Sequence, residues 1–370
     1  MNELKVENFG PIGKAHVEFG DLTILVGAQA SGKSLFLELL KLLEDKEAIV
    51  ETLRKYNYII SKNNVSYLLE AYFGNGMAGI WGENTKIVYD GREASAVISL
   101  MKNKVKEADE KVFYIPAQRV FSISDGRPKA FSEFDPTAPY VLRQFSEILR
   151  VFMLDDYLVF SKNYNIDSSI FHGGRVELEN ENGQRKMRMK VDGMDMPFMT
   201  WSAGQKEFMP LLMGFYCVSG PPMQLLNKEQ YEYIVIEEPE MGLHPKAVMS
   251  VLLEILELVQ MGKKVIVSTH STVPLEFVWA FNILKKSANN NREAGLAKLF
   301  DVSGKGAGIF AGIFDKSIRT YAFERKGEKV ESVDISSLDA LDEQPVVSEW
   351  GGLSSFASRA SELVTKYCDE

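Results

Sequence analysis

A glycine-rich loop is the segment of this sequence with the clearest capacity for chemistry. It matches the pattern G-x-x-x-x-G-K-[S/T] and consists of Gly27, Ala28, Gln29, Ala30, Ser31, Gly32, Lys33 and Ser34. In such a loop the backbone N–H groups surround a triphosphate, the lysine bridges the β- and γ-phosphates, and the hydroxyl holds Mg²⁺. The alternative is a chance match in a flexible glycine turn. A strand predicted over residues 22–26 and a helix over residues 34–43 disfavour it, because the pattern requires both.

Two adjacent carboxylates, Glu237 and Glu238, end an apolar stretch at residues 234–236. Because a buried carboxylate without a partner is costly, a pair at a strand end indicates a cation or a polarised water nearby. We expect Glu237 to face the Mg²⁺ shell and Glu238 to orient and deprotonate an attacking water. The alternative is a strand end that simply reaches solvent.

Three further polar segments adjoin predicted helices or strands. An apolar helix is preceded by Ser202, Ala203, Gly204 and Gln205. A hydroxyl and N–H groups at a helix N-terminus can bind an anion, although a serine there is equally suited to capping the helix. Gln118 follows a strand predicted at residues 112–115, and His270 follows one at residues 265–268.

The elements that must position these residues alternate between strand and helix, which implies an α/β fold with a mainly parallel sheet. Further strands are predicted at residues 4–6, 15–18 and 233–236, and helices at 138–154 and 248–261. A polar hairpin is predicted from residues 175–178 and 186–191, with Asn182 and Gly183 as its turn. The tail predicts two strands around Lys326 and Gly327 and a terminal helix from about residue 353.

Composition narrows the class of protein. The 370 residues are 45% hydrophobic and 25% charged, ordinary values for a globular chain. The longest apolar run, residues 208–218, has 11 residues, short of the roughly 18–20 that a membrane span needs. The N-terminus lacks the regions of a secretory signal, and the two distant cysteines imply neither a disulfide framework nor a zinc cluster. We therefore expect a cytoplasmic location and no membrane partner.

The net charge of the chain indicates how readily it could bind nucleic acid. The net charge of −9 argues mildly against avid DNA binding by a monomer, because phosphate contacts need local positive charge. Basic residues scattered over 175–190 could form a groove on dimerisation, but a solvated hairpin face is the favoured interpretation.

The order of these motifs resembles that of the ABC-type ATPases of the SMC, RecF and Rad50 group, and most closely the OLD-type ATPases. The resemblance rests on residues 115–119 (IPAQR), 201–205 (WSAGQ), 237–240 (EEPE) and 243–245 (LHP). It implies a P-loop NTPase head with a mixed, mainly parallel sheet flanked by helices, and ATP and Mg²⁺ as ligands.

The resemblance also implies a role for each motif. Ser202, Ala203, Gly204 and Gln205 would be the signature segment that meets the γ-phosphate held by a second copy. His270 would contact the γ-phosphate and sense hydrolysis. Gln118 would couple Mg²⁺ and the attacking water to outside contacts, with Arg119 as its competitor for phosphate or partner contact. His244 is interpreted as structural, setting the turn before a helix.

Two features depart from the family pattern. Glu237 stands where Asp is usual, and its longer side chain could reach Mg²⁺ only through water. The signature has Trp201 and Ala203 in place of Leu and Gly, and Ala203 could slightly tighten the approach of the backbone to phosphate.

The resemblance divides the chain into a discontinuous ATPase head and three other segments. The head is expected at residues 1–45, 110–120 and 196–325, a partly helical insertion at 46–109, a helical and β-hairpin lid at 121–195, and a strand, acidic connector and helix at 326–370. Only 83 residues separate Gln118 from Ser202, without heptads, so a compact lid is expected rather than a long coiled coil. No Asp-x-Asp cluster is present, so no intrinsic nuclease of the TOPRIM type is expected.

The resulting hypothesis is an ATPase that closes two copies around two ATP molecules, as a homodimer or higher homo-oligomer, and controls a separate effector such as a nuclease or toxin. Relatives of this kind are often encoded beside an effector, many in bacterial anti-phage systems. Three alternatives stay open: an ATP-bound scaffold with little turnover that traps an effector, a RecF-like DNA repair ATPase, and a small-molecule P-loop kinase.

Overall fold

The computed structural model describes residues 2–60, 65–94, 108–154, 170–221, 225–287 and 291–368. It divides the chain into two compact units. Unit 1 comprises Met1–Leu37, Trp81–Ser95 and Ile255–Glu370. Unit 2 comprises Glu38–Ile80 and Ala96–Glu254.

The described strands and helices follow in chain order. The strands are β1 (Glu3–Phe9), β2 (Ile12–Glu18), β3 (Leu22–Gly27), β4 (Trp81–Tyr89), β5 (Arg92–Glu93), β6 (Val112–Ile115), β7 (Ile123–Ser124), β8 (Arg127–Pro128), β9 (Arg175–Glu181), β10 (Gln184–Val191), β11 (Met194–Pro197), β12 (Tyr233–Glu237), β13 (Lys264–Ser268), β14 (Ile318–Lys326) and β15 (Lys329–Asp334). The helices are α1 (Lys33–Glu44), α2 (Lys46–Lys55), α3 (Val65–Phe73), α4 (Tyr140–Met153), α5 (Ala203–Ser219), α6 (Pro245–Gln260), α7 (Val273–Lys285), α8 (Arg292–Leu299), α9 (Pro345–Ser348) and α10 (Ser355–Cys368).

Unit 1 contains a mixed sheet in the strand order β5-β4-β1-β2-β15-β14-β3-β13. β3 lies between β14 and β13 and pairs in parallel with both. All six of its residues are buried, as expected for a central parallel strand covered on both faces. The hairpin of β14 and β15 therefore separates β2 from β3, although β2 and β3 are neighbours in the sequence.

Unit 2 contains the parallel pair β6 and β12, in which every residue is buried. An antiparallel sheet in the order β11-β10-β9 forms the predicted hairpin and adds β11, a strand that the sequence did not predict. Asn182 and Gly183 have φ angles of 50° and 79°, the positive values that a tight hairpin turn requires. The hairpin prediction is confirmed.

A buried ion network ties α1 to β6 within unit 2. The Lys41 ammonium donates to the carboxylates of Asp45 at 2.9 Å and Glu110 at 3.0 Å, and to the Val112 carbonyl at 2.8 Å. Asp45 also accepts from the N–H of Lys111 and of Val112. Since all three charges are shielded from water, each depends on the others for its stability.

The predicted α/β fold with a mixed, mainly parallel sheet is confirmed. The longest helix of the described residues, α5, has 17 residues. Nowhere in the described ranges does a helix combine the length and the apolar character needed to cross a lipid bilayer.

Candidate functional site

The glycine-rich loop of unit 1 has a backbone that favours glycine at two positions. Gly27 ends β3 with φ 144°, and a Cβ there would lie 2.4 Å from the Phe323 carbonyl oxygen. Gly32 has φ 80°, and a Cβ there would lie 3.1 Å from the side chain of Ile12. The chain thus turns sharply between β3 and the start of α1 at Lys33, which points the first N–H groups of the helix back toward the loop.

Lys33 lies within this loop. Its ammonium donates to the carbonyl oxygens of Gly27 at 2.8 Å and Ala28 at 3.0 Å and to the Ser31 hydroxyl at 3.2 Å, and it is 3.4 Å from Nε2 of His270. The pairing of β13 with β3 explains the last distance, because adjacent parallel strands bring their carboxyl ends to the same edge. The structure therefore brings the side chains of Lys33 and His270 together.

The loop residues fit a phosphate ligand. Ala28, Gln29, Ala30 and Ser34 are exposed, whereas Lys33 is only 5% exposed and has its charge partly offset by loop carbonyls. Phosphate oxygens could take the place of those carbonyls around the ammonium, because phosphate carries a negative charge that the neutral carbonyls lack. The Ser34 hydroxyl, in the first turn of α1, is open to a Mg²⁺ ion carried by the phosphates.

Glu237, the last residue of β12 in unit 2, is held by two protein donors. One carboxylate oxygen accepts from the Tyr114 hydroxyl at 2.5 Å and the other from the Ala117 N–H at 3.0 Å. Burial, reinforced by the negative charge of Glu237, raises the pKa of Tyr114 well above its usual value, so the hydroxyl keeps its proton. Tyr114 is not predicted as a site residue from the sequence, because its only signal there is a hydroxyl within an otherwise apolar strand.

These contacts bear on how Glu237 could serve a metal. A carboxylate that accepts hydrogen bonds from Tyr114 and Ala117 fits a role in which it acts on a metal ion through water. Gln118, one residue beyond Ala117, is exposed and free to reach outward.

Arg119 has a different role from the one that the sequence suggested. It is 0% exposed, and its guanidinium donates to the carbonyl oxygens of Glu237 at 2.9 Å, Glu238 at 3.1 Å and Glu207 at 3.2 Å. The prediction that Arg119 contacts phosphate or a partner is therefore wrong, because the side chain is buried and bound by carbonyl groups of its own chain.

Ser202 caps helix α5. Its hydroxyl accepts from the Gln205 N–H at 3.3 Å, and the Gln205 side chain accepts from the Ser202 N–H at 3.0 Å. Ser202 and Ala203 are exposed, while Gly204 packs against the turn beyond Glu238: a Cβ on Gly204 would lie 2.5 Å from the Gly242 carbonyl oxygen. The capping interpretation is confirmed, and the exposed helix start keeps the capacity to meet an anion.

His244 and the basic residues of the hairpin have polar partners within unit 2. His244 Nδ1 accepts from the Lys246 N–H at 3.3 Å, which confirms that His244 shapes the turn before α6. The basic residues of the hairpin are paired with carboxylates: Arg188 with Glu181 at 2.6 Å, and Lys190 with Asp195 at 2.7 Å. The predicted solvated hairpin face fits this pairing better than a basic groove does.

The phosphate-type loop and the mixed α/β sheet together define a P-loop nucleoside triphosphatase. A family model described as an AAA ATPase domain (AAA_15) matches residues 1–117 and 97–273, and the chain belongs to that family. The prediction that the chain belongs to an ATPase family is confirmed. None of the curated proteins matches the chain.

Solved structures with a related fold are distant in sequence. An SMC head bound to the C-terminal winged-helix domain of ScpA is 16% identical, with 90% of this chain and 96% of that chain covered and a TM-score of 0.42. The SMC head domain from Thermotoga maritima is 12% identical, with 90% and 98% covered and a TM-score of 0.37. A dimeric ATP-binding cassette with ADP and phosphate is 12% identical, with 72% and 88% covered and a TM-score of 0.32.

Proposed function

We propose that this protein binds and hydrolyses ATP, with Mg²⁺, and that two copies close around two nucleotides to switch a partner on or off. The observation that carries the proposal is the position of Lys33, whose ammonium contacts loop carbonyls that phosphate oxygens can replace and lies 3.4 Å from His270. A lysine enclosed by a glycine loop and close to a histidine suits the binding of a γ-phosphate and the detection of its loss.

Each site residue has a distinct task in this proposal. The backbone of residues 27–34 and Lys33 hold the triphosphate, and Ser34 and, through water, Glu237 hold Mg²⁺, which neutralises charge on the phosphate oxygens. Glu238 accepts the proton of the attacking water, and Gln118 helps to orient that water. The signature segment from Ser202 to Gln205 serves the nucleotide of the second copy.

The output of the switch is proposed to be a separate effector protein, a nuclease or toxin, in bacterial anti-phage defence. The resemblance to OLD-type ATPases without a nuclease domain supports this proposal. The paired charges of the hairpin favour it over a RecF-like role, because Arg188 and Lys190 already have carboxylate partners that DNA phosphates would have to displace.

The decisive experiment measures the mass of purified Glu238→Gln protein with and without ATP and Mg²⁺, beside ATP turnover by the wild type. Removing the base should stop hydrolysis and leave the ATP-bound dimer intact, so the mass should double only with nucleotide. Lys33→Met is the matched control, because it lacks the phosphate contact and should stay at the nucleotide-free mass. A constant mass with negligible wild-type turnover would contradict the proposal and indicate a preassembled scaffold.

A further inference from the structure

Glu238 has a backbone conformation that is costly for its residue type. Its φ is 42°, in the left-handed region that a residue with a Cβ rarely adopts. Such a conformation persists only where the surrounding structure holds it, and it is common where the direction of a side chain matters. The direction of the Glu238 carboxylate therefore depends on whatever fixes the two peptide groups beside its Cα.

Arg119 fixes both of those peptide groups. Nη1 donates to the Glu237 carbonyl at 2.9 Å and Nη2 donates to the Glu238 carbonyl at 3.1 Å. One planar guanidinium therefore binds the peptide groups on both sides of the Glu238 Cα. The two donors of a guanidinium have a fixed spacing, which a lysine ammonium does not offer.

A third contact of Arg119 leads to another element. Nε donates to the carbonyl of Glu207 at 3.2 Å, one turn into the helix that Ser202 caps. The same helix meets the turn beyond Glu238 a second time, where a Cβ on Gly204 would lie 2.5 Å from the Gly242 carbonyl oxygen. The capped helix start and the Glu238 turn are thus joined at two points.

The buried charge of Arg119 is matched by its surroundings. Burial lowers the pKa of its guanidinium, and the nearby carboxylates of Glu207, Glu240 and Glu238 oppose that shift. A neutral side chain of similar length would leave these carboxylates without their cation. The site is therefore built for a guanidinium.

We propose that Arg119 is a positioning residue that holds Glu238 in its left-handed conformation and couples it to the helix behind Ser202. This inference rests on the proposed function. When Ser202 engages the nucleotide of the second copy, the contact is transmitted through Arg119 to the Glu238 that serves the protomer's own nucleotide. One protomer then hydrolyses only when its signature segment is engaged.

Arg119→Met and Arg119→Lys test the proposal, with Arg143→Met as the matched control. Arg143 is 1% exposed in the same unit and donates to the Ala71 carbonyl and to the Tyr58 hydroxyl. A misplaced Glu238 predicts a kcat for Arg119→Met about 100-fold below the wild type, with KM for ATP unchanged, because Lys33 and its loop are untouched. The kcat of Arg119→Lys should lie between the values for Arg119→Met and the wild type. Arg143→Met should lose stability while keeping kcat within about threefold of the wild type.

Hydrogen exchange separates this inference from the proposed function. In Arg119→Met the backbone amides of residues 238–243 and 203–207 should exchange faster together, whereas in Arg143→Met both should keep wild-type rates. This readout holds even if the wild type shows no turnover, an outcome that would refute the proposed function alone. Arg119 is not the coupling residue if only one of the two segments responds, if neither does, or if Arg143→Met lowers kcat as much as Arg119→Met.

Discussion

Replacing Tyr114 by Phe should show how much the site depends on the anchoring of Glu237. The substitution removes one hydroxyl and leaves the buried carboxylate with the Ala117 N–H as its remaining described donor from β6 and the loop that follows. A hydrogen bond to a charged acceptor contributes about 1.5–3 kcal/mol. Loss of the 2.5 Å bond should therefore lower the free energy of unfolding by about that amount, measured by urea denaturation.

Turnover should fall as well, since Glu237 fixes the loop that carries Gln118 and lies next to Glu238. If about half of the lost free energy, roughly 0.75–1.5 kcal/mol, is felt in the transition state, kcat decreases about 4- to 13-fold, because about 1.36 kcal/mol corresponds to a factor of ten. Steady-state phosphate release measures this. ATP affinity should stay unchanged, because no group of the phosphate loop is altered.

The matched control is Tyr140→Phe. Tyr140 is also fully buried in unit 2, and its hydroxyl donates to the Glu110 carboxylate at 2.6 Å, away from the proposed site. Both variants should lose similar stability, and only Tyr114→Phe should lose turnover. Equal turnover in the two variants would refute the reasoning that Tyr114 acts on the site through Glu237.

Three further predictions concern the rest of the chain. Lys41→Met should lower the free energy of unfolding by about 3–5 kcal/mol, because it leaves two buried carboxylates without their cation. The control is Lys55→Met, which removes an i,i+4 ion pair whose lysine side chain is 67% exposed and should change that free energy by under about 1 kcal/mol. A similar loss in both variants would contradict the explanation from burial. Burial raises the pKa of the Cys217 thiol, so in a Cys368→Ser background a thiol reagent should react only after unfolding, and reaction in the native state would show that the site opens. Deleting residues 355–368 should shift the urea unfolding curve by less than about 1 kcal/mol, because the large apolar side chains of α10 are exposed; a larger loss would show that they are covered.

Sequence patterns predicted the local parts of the site well. The loop from Gly27 to Ser34 forms as expected because its glycines, its preceding buried strand and its following helix are all local signals. The position of His270 also followed, since alternation of strands and helices places strand ends at one edge of a parallel sheet. The Asn182-Gly183 turn specified its hairpin through backbone preference alone.

Long-range contacts were not predictable in the same way. Nothing in the sequence near Arg119 distinguishes a buried guanidinium that binds carbonyls from an exposed one that binds phosphate, because the difference depends on Glu207, 88 residues away. The position of β14 and β15 between β2 and β3 was not predicted for the same reason. Strand order depends on pairing between distant segments, which local propensity does not determine.

The insertion of this hairpin has a consequence for biosynthesis. β3 pairs with β14 along its whole length, from Leu22 with Ile318 to Gly27 with Phe323, so the strand that leads into the phosphate loop gains one of its two neighbours about 300 residues after its own synthesis. A nascent chain released before residue 318 would expose an edge of β3, a hydrophobic strand prone to pair with other chains. Residues 318–323 must therefore have been synthesised before β3 has both of its neighbours. Chaperone binding to stalled chains should end only once this hairpin has emerged.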